Sequence, residues 1–157
     1  MGIIGRITSD LKLMLQRPPR QQFAAICHRK KKKTGDLEVL LITSRDTGRW
    51  VIPKGWHMPG KQPHAIAERE AFEETGIRVK ARSLAYIDEL VDDTGRMVKF
   101  WFLADYLSGE IDVSANPAPG ESITEAGWFS ADALPQGHVF PEILRNDFWR
   151  DLASGFP

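Results

Sequence analysis

Between Pro63 and Thr75 the chain carries Glu68, Glu70, Glu73 and Glu74. If this stretch is helical, Glu70, Glu73 and Glu74 fall within one arc of about 100°. Ala65 and Phe72 lie roughly opposite. That spacing predicts a helix that buries the Ala65/Phe72 side and presents three carboxylates on the other. Like charges three and four apart destabilise a helix by ~0.2–0.5 kcal/mol per pair. Within the helix only Arg69 can offset them. A hard divalent cation would do so, because Mg²⁺ takes oxygen ligands and is commonly held by one or two carboxylates plus substrate phosphates. A glutamate-rich helix alone is more often a solvated face, so the flanking spacing decides.

The segment from Gly55 reads Gly55-Trp56-His57-Met58-Pro59-Gly60-Lys61, then seven residues, then Arg69-Glu70-Ala71-Phe72-Glu73-Glu74-Thr75-Gly76-Ile77. This resembles the Nudix box, G-x5-E-x7-R-E-U-x-E-E-x-G-U with U apolar, and eight of the nine specified positions match. The expected context is also present: strand, glycine loop, helix and glycine cap. Lys61 departs from the pattern, standing where the family has its first glutamate. In the family that residue is regarded more as a support for the loop than as the main metal ligand, so catalysis is expected to survive the change, with a cation at the mouth of the site. The string Trp50-Val51-Ile52-Pro53-Lys54-Gly55-Trp56 looks like the subgroup that cleaves diadenosine polyphosphates and diphosphoinositol polyphosphates.

The resemblance implies an α/β fold of the α+β type, an α/β/α sandwich around a mixed β-sheet. It implies hydrolysis of a phosphoanhydride bond with Mg²⁺ or Mn²⁺. Glu70, Glu73 and Glu74 match the family's metal-binding glutamates, with Glu70 and Glu74 expected as the innermost pair. Arg69 is expected to orient a glutamate through a charge-assisted hydrogen bond. The backbone carbonyl of Lys54 or Gly55 is a candidate for a further metal oxygen. Many members recruit a glutamate from a later loop as ligand or base. Glu121 and Glu125 are available here, and Glu121 is preferred because Glu125 lies close to a strand. Lys54, Gly55, Lys61 and Arg45 are the candidate substrate-binding residues. His57 and His64 flank the box and could touch phosphate, although exposed loop histidines are the default reading. Trp50 and Trp56 could stack on a base, with core packing the safer assignment for Trp50.

Apolar and β-branched runs predict strands at Phe23–His28, Leu37–Ser44, Trp50–Ile52, Leu84–Val91, Met97–Leu107 and Trp128–Phe129. Gly35-Asp36 and Asp92-Asp93-Thr94-Gly95 read as hairpin turns, so the sheet should be mixed and not doubly wound. Pro63 at the start and Gly76 past the end bound the central helix. A closing helix is predicted over Ile143–Leu152, with Leu144, Phe148 and Leu152 on one stripe. Ile4, Ile7, Leu11 and Met14 have helical spacing ahead of Arg17-Pro18-Pro19-Arg20. Residues 1–19 thus read as an N-terminal helical extension, its stripe buried on the domain or on a second copy of the chain, and 20–157 as the hydrolase domain.

The chain has 157 residues, 42% hydrophobic and 27% charged, enough for one full core. Lys+Arg and Asp+Glu both number 21, so global charge gives no push toward nucleic acid or an anionic membrane. The basic run Lys30-Lys31-Lys32-Lys33 is locally different: a soluble turn by default, or an attractor for a highly phosphorylated substrate. The single cysteine, Cys27, lies in an apolar run and reads as a core residue. No apolar run approaches a membrane span of ~18 residues. A cytoplasmic location and a phosphorylated small-molecule substrate are expected, with nucleic acid and membrane not expected as partners. A dinucleoside polyphosphate or an inositol pyrophosphate is favoured. The alternatives are an ADP-ribose or nucleotide-sugar pyrophosphatase, and a non-catalytic module that binds a nucleotide or RNA.

Overall fold

The structure is a computed structural model, which describes Thr8, Leu11, Lys12 and residues 17–44, 47–114 and 123–156. The described strands are β1 (Arg20–Lys30), β2 (Leu37–Ser44), β3 (Trp50–Val51), β4 (Lys54–Trp56), β5 (Arg78–Asp92), β6 (Gly95–Ser108), β7 (Ile123–Ser130) and β8 (Val139–Phe140). Helix α1 spans Pro63–Thr75 and helix α2 spans Phe148–Ser154. The strands form one mixed sheet with the path β5-β6-β1-β2-β3-β8. Strand β4 pairs with β1, and β7 pairs with β2. The β1–β6 and β3–β8 pairs are parallel and the rest antiparallel.

Alternation along β1 divides the core. Phe23, Ala25 and Cys27 pack with Ile66, Ala67 and Ala71 of α1 on one face. Ala24 and Ile26 pack with Trp101, Leu144 and Phe148 on the other. This is the expected α/β/α sandwich around a mixed sheet. Cys27 is fully buried, and burial pushes its thiol pKa far above the ordinary value. It is a core residue.

Helix α1 has the expected bounds. Gly76 takes φ 77°, and its N–H donates to the Phe72 carbonyl at 2.8 Å. The face assignment is corrected. Ile66, Ala67, Ala71, Glu74 and Thr75 are buried, whereas Phe72 is 41% exposed. The helix docks through small residues that let it approach the sheet, and Phe72 lies outside beneath the Arg78 guanidinium, 4.3 Å from its ring centroid. Glu70 and Glu74 therefore face the sheet, while Glu73 stays toward solvent with Arg69.

Two short strands lie outside the expected ones, β4 inside the expected glycine loop and β8. The closing helix is also shorter than expected. Glu142–Arg145 forms a 3₁₀ turn, and Asn146 breaks the backbone with φ −120° and ψ −106° before α2 begins. Leu144 and Phe148 still reach the same core, because the break reorients the chain between them. Trp149 Nε1 bridges it with a 2.7 Å hydrogen bond to the Leu144 carbonyl. Of the N-terminal stripe only Leu11 is described, and it is 56% exposed. It is not buried on the domain.

Candidate active site

Strand β4 and helix α1 build the site. Gln22, Phe23 and Ala24 of β1 pair with Trp56, Gly55 and Lys54 of β4. Neighbouring residues in a strand point to opposite faces, so Gly55 shares the α1 face with Phe23, and Lys54 shares the other face with Ala24. The Glu70 side chain lies directly over Gly55, in the space that a Cβ there would fill. Only glycine permits this approach.

The structure separates the three helix glutamates by environment. Glu70 lies against Gly55. Glu74 is 4% exposed on the buried face of α1. Glu73 accepts a 2.6 Å hydrogen bond from Arg69 Nε, one turn earlier. That bond and the Glu73 charge raise the Arg69 pKa above its ordinary value. Arg69 also reaches the Met58 sulfur at 3.6 Å. The fourth glutamate, Glu68, is turned to β5, where it accepts from the Ala81 N–H at 2.9 Å and faces Lys80.

Among the described residues no three His, Cys, Asp or Glu side chains gather closely enough to cage a metal ion. The donor set instead fits an ion of the Mg²⁺ type. Such an ion needs only one or two protein carboxylates, keeps several waters and shares the substrate's phosphates. Glu70 and Glu74 could supply carboxylate oxygens to such an ion, with a β4 carbonyl as a further candidate donor.

Other sequence candidates are distributed differently. Lys61 is exposed on the β4–α1 loop, where its N–H donates to the Met58 carbonyl at 3.2 Å. His57 and His64 are exposed. Trp50 packs edge-on against Phe129 at 4.9 Å, as a core residue. Trp56 is 46% exposed beside the site, with the Arg20 guanidinium 5.5 Å from its ring centroid. Glu125 is exposed in β7, opposite Thr43. Glu121 and Arg45 lie outside the described residues. The four-lysine turn is not near the site. β1 runs away from Phe23 for eight residues before Lys31, about 26 Å at ~3.3 Å per residue.

A cavity of about 560 Å³ opens on the Lys54 face, with Arg49, Lys54, Lys99, Trp101 and Phe140 among its lining residues. Lys99 Nζ lies 4.4 Å from the Phe140 ring centroid. Burial lowers the Lys99 pKa, and the Lys54 charge lowers it further. Asp88 opposes this shift and Arg49 adds to it. Two of the cavity's carboxylates are engaged, Asp88 accepting from Trp101 Nε1 at 3.0 Å and Glu89 from Arg96 Nε at 2.7 Å. The sequence reading missed Arg49 and Lys99. The available signal was Lys99 itself, a lysine inside the apolar run Val98–Phe102 of a strand.

A model of the NUDIX domain matches residues 18–146. An RNA pyrophosphohydrolase of Bartonella quintana (strain Toulouse) is 31% identical over 118 residues, 61% of this chain and 68% of that protein. Diphosphoinositol polyphosphate phosphohydrolase 3-alpha of Mus musculus is 33% identical over 75 residues, 47% of this chain and 44% of that protein. The match thus spans less than half of that relative. Among solved structures, a MutT NUDIX hydrolase from Burkholderia pseudomallei superposes with a TM-score of 0.64 at 26% identity, covering 79% of this chain and 92% of that one. With the box on β4 and α1, and the fold matched over most of its length, the chain belongs to the NUDIX domain family and is a Nudix hydrolase.

Proposed function

We propose that this hydrolase cleaves a phosphoanhydride bond in a small molecule bearing a run of phosphates, a dinucleoside polyphosphate or an inositol pyrophosphate. The observation that carries this reading is the division of labour within β4. Gly55 meets the Glu70 carboxylate on one face, while the adjacent Lys54 lines a cavity shared with Arg49 and Lys99. Phosphates entering that cavity meet three cations, of which Lys54 adjoins the glycine that Glu70 covers from the opposite face of the sheet.

A divalent ion held by Glu70 and Glu74 would neutralise phosphate charge and lower the pKa of the attacking water. The chain's own residues supply the rest. Arg69 holds Glu73 in one rotamer. Lys54 and Lys99 position phosphate oxygens as point charges, and Arg49 through its planar guanidinium fork. The general base is a glutamate, with Glu121 the candidate from the later loop. The favoured substrate class also accords with the diphosphoinositol polyphosphate phosphohydrolase among the relatives.

The test compares kcat/KM for diadenosine polyphosphates, inositol pyrophosphates and ADP-ribose in wild type, Lys61→Glu and Lys54→Ala. The reading expects the longer polyphosphates to be preferred and to lose selectively in both variants. A preference for ADP-ribose, with no selective loss, rejects the substrate class while leaving the hydrolase in place.

A further inference from the structure

The run Lys30–Lys33 plays no part in the site above, yet it does not hang free. Lys31 N–H donates to the Asp36 carbonyl and Gly35 N–H to the Lys31 carbonyl, both at 2.8 Å. Asp36 N–H donates to Thr34 Oγ1 at 3.3 Å. The β1–β2 turn is therefore a fixed frame for four ammonium groups. It forms one wall of a cleft of about 810 Å³, with Tyr106, Trp128 and the Gly109–Ile111 segment opposite.

That opposite wall is also braced. Tyr106 donates to the Gly109 carbonyl at 2.9 Å. Arg29 stacks 4.0 Å from the Trp128 ring centroid, and its Nε donates to Glu38 at 3.0 Å. The aromatic surface is thus covered by a guanidinium whose charge Glu38 offsets. Asp105, one of the cleft's lining carboxylates, is engaged by Arg82 and lies 3.5 Å from His28. Among the described residues none of the four lysines has a carboxylate partner within ion-pair distance. Asp105 and Glu110 also line the cleft, so four lysines, Arg29 and two carboxylates face it, a local excess of positive charge in a chain with equal numbers of acidic and basic residues.

We propose that this cleft is a second anion site, separate from the catalytic one, that takes a ligand with several closely spaced phosphates through the ammonium groups of Lys30–Lys33. Strong hydration and three rotatable donors per ammonium suit lysine to phosphate as a point charge. Because Arg29 covers Trp128, recognition is through phosphate and not through base stacking. Lys31 lies about 26 Å along β1 from Phe23, at ~3.3 Å per strand residue, while the Glu110 wall of the cleft adjoins Gly76 at the C-terminal end of α1. The occupant is either a separate phosphate-rich anion or the remote part of a long phosphodiester chain whose end lies at the catalytic helix.

Binding is measured on the full chain in chelator, at about 50 mM salt where phosphate contacts are strong. The probes are inorganic tripolyphosphate and a single-stranded RNA dodecamer, each with wild type and with the triple variant Lys31→Gln/Lys32→Gln/Lys33→Gln. Thermal melts confirm that the variant is folded. The proposal expects both probes to bind wild type and to bind the variant at least about tenfold more weakly, and expects a flatter salt dependence for the RNA, its slope reduced by about two. Hydrolysis of a short substrate should be unchanged by the variant. If the variant also loses kcat/KM on a long phosphodiester substrate, the occupant is the remote part of the substrate; if not, it is a separate ligand. Equal affinity of variant and wild type for both probes, or no binding of either probe to wild type, overturns the proposal.

Discussion

Gly55 and Glu70 meet where β4 passes under helix α1, the glutamate side chain filling the space that a Cβ on the glycine would need. This contact joins the first residue of the box to its central glutamate, and explains on steric grounds why the box begins with glycine. Gly55→Ala should displace the Glu70 carboxylate by an ångström or so and lower kcat by about 10²-fold, the usual cost of such a misplacement. Circular dichroism and melting would show whether the fold persists. Undiminished kcat in a folded Gly55→Ala protein would separate Glu70 from the chemistry.

Arg69 and Glu73 form an exposed pair one turn apart, and exposed pairs contribute little to stability. Arg69→Gln should therefore leave Tm nearly unchanged. By freeing Glu73 it should weaken the apparent affinity for Mg²⁺ by about tenfold, as loss of an outer partner of a ligand typically does. A metal titration of activity, run beside a melting curve, separates the two effects.

Lys99 carries its charge against a gradient, since burial and the neighbouring Lys54 both lower its pKa. Its protonated form is disfavoured in the folded state at every pH below its folded pKa, and that penalty is relieved as pH rises through it. Lys99→Met should then melt at the same temperature as wild type or higher at neutral pH. If Lys99 binds phosphate, KM should rise about tenfold, the worth of one hydrogen bond to a charged group. An unchanged KM would take Lys99 out of the substrate cavity's work.

His28 gives a pH dependence of stability independent of catalysis. Burial lowers its pKa below the ordinary 6.5, although Asp105 pulls the other way. In the window between the lowered folded value and the unfolded one, the unfolded chain binds more protons, so stability rises with pH there. Acidification through about pH 6.5 and below should lower Tm, and His28→Asn should flatten that slope. A slope that is identical in the variant would assign the acid sensitivity to other groups.

The parts of the fold set by local chemistry were legible in the sequence. Helix α1 lies between the residues expected because Pro63 is tolerated in its first turn and Gly76 supplies the left-handed cap. Strand β2 has the expected bounds because its apolar run is continuous between two turns. The face of α1 was not legible. The helix docks through Ala67, Ala71 and Thr75, while the larger Phe72 remains outside, so close approach outweighed side-chain size. Nor could the sequence show that Arg49 and Lys99 join Lys54, because that depends on the pairing of β4 and β6 on either side of β1. The break at Asn146 was hidden by a stripe of apolar residues that remains satisfied across it.

In the proposed mechanism Glu70 and Glu74, on the sheet-facing side of α1, hold the divalent ion that drives hydrolysis. The most direct test is steady-state phosphate release with Mg²⁺ or Mn²⁺ in wild type and Glu74→Gln, with and without excess chelator, on protein shown to be folded. Chelator should abolish turnover, and Glu74→Gln should lower kcat by about three orders of magnitude, about 4 kcal/mol of transition-state stabilisation. Full turnover in excess chelator, or wild-type kcat in folded Glu74→Gln, would contradict this mechanism.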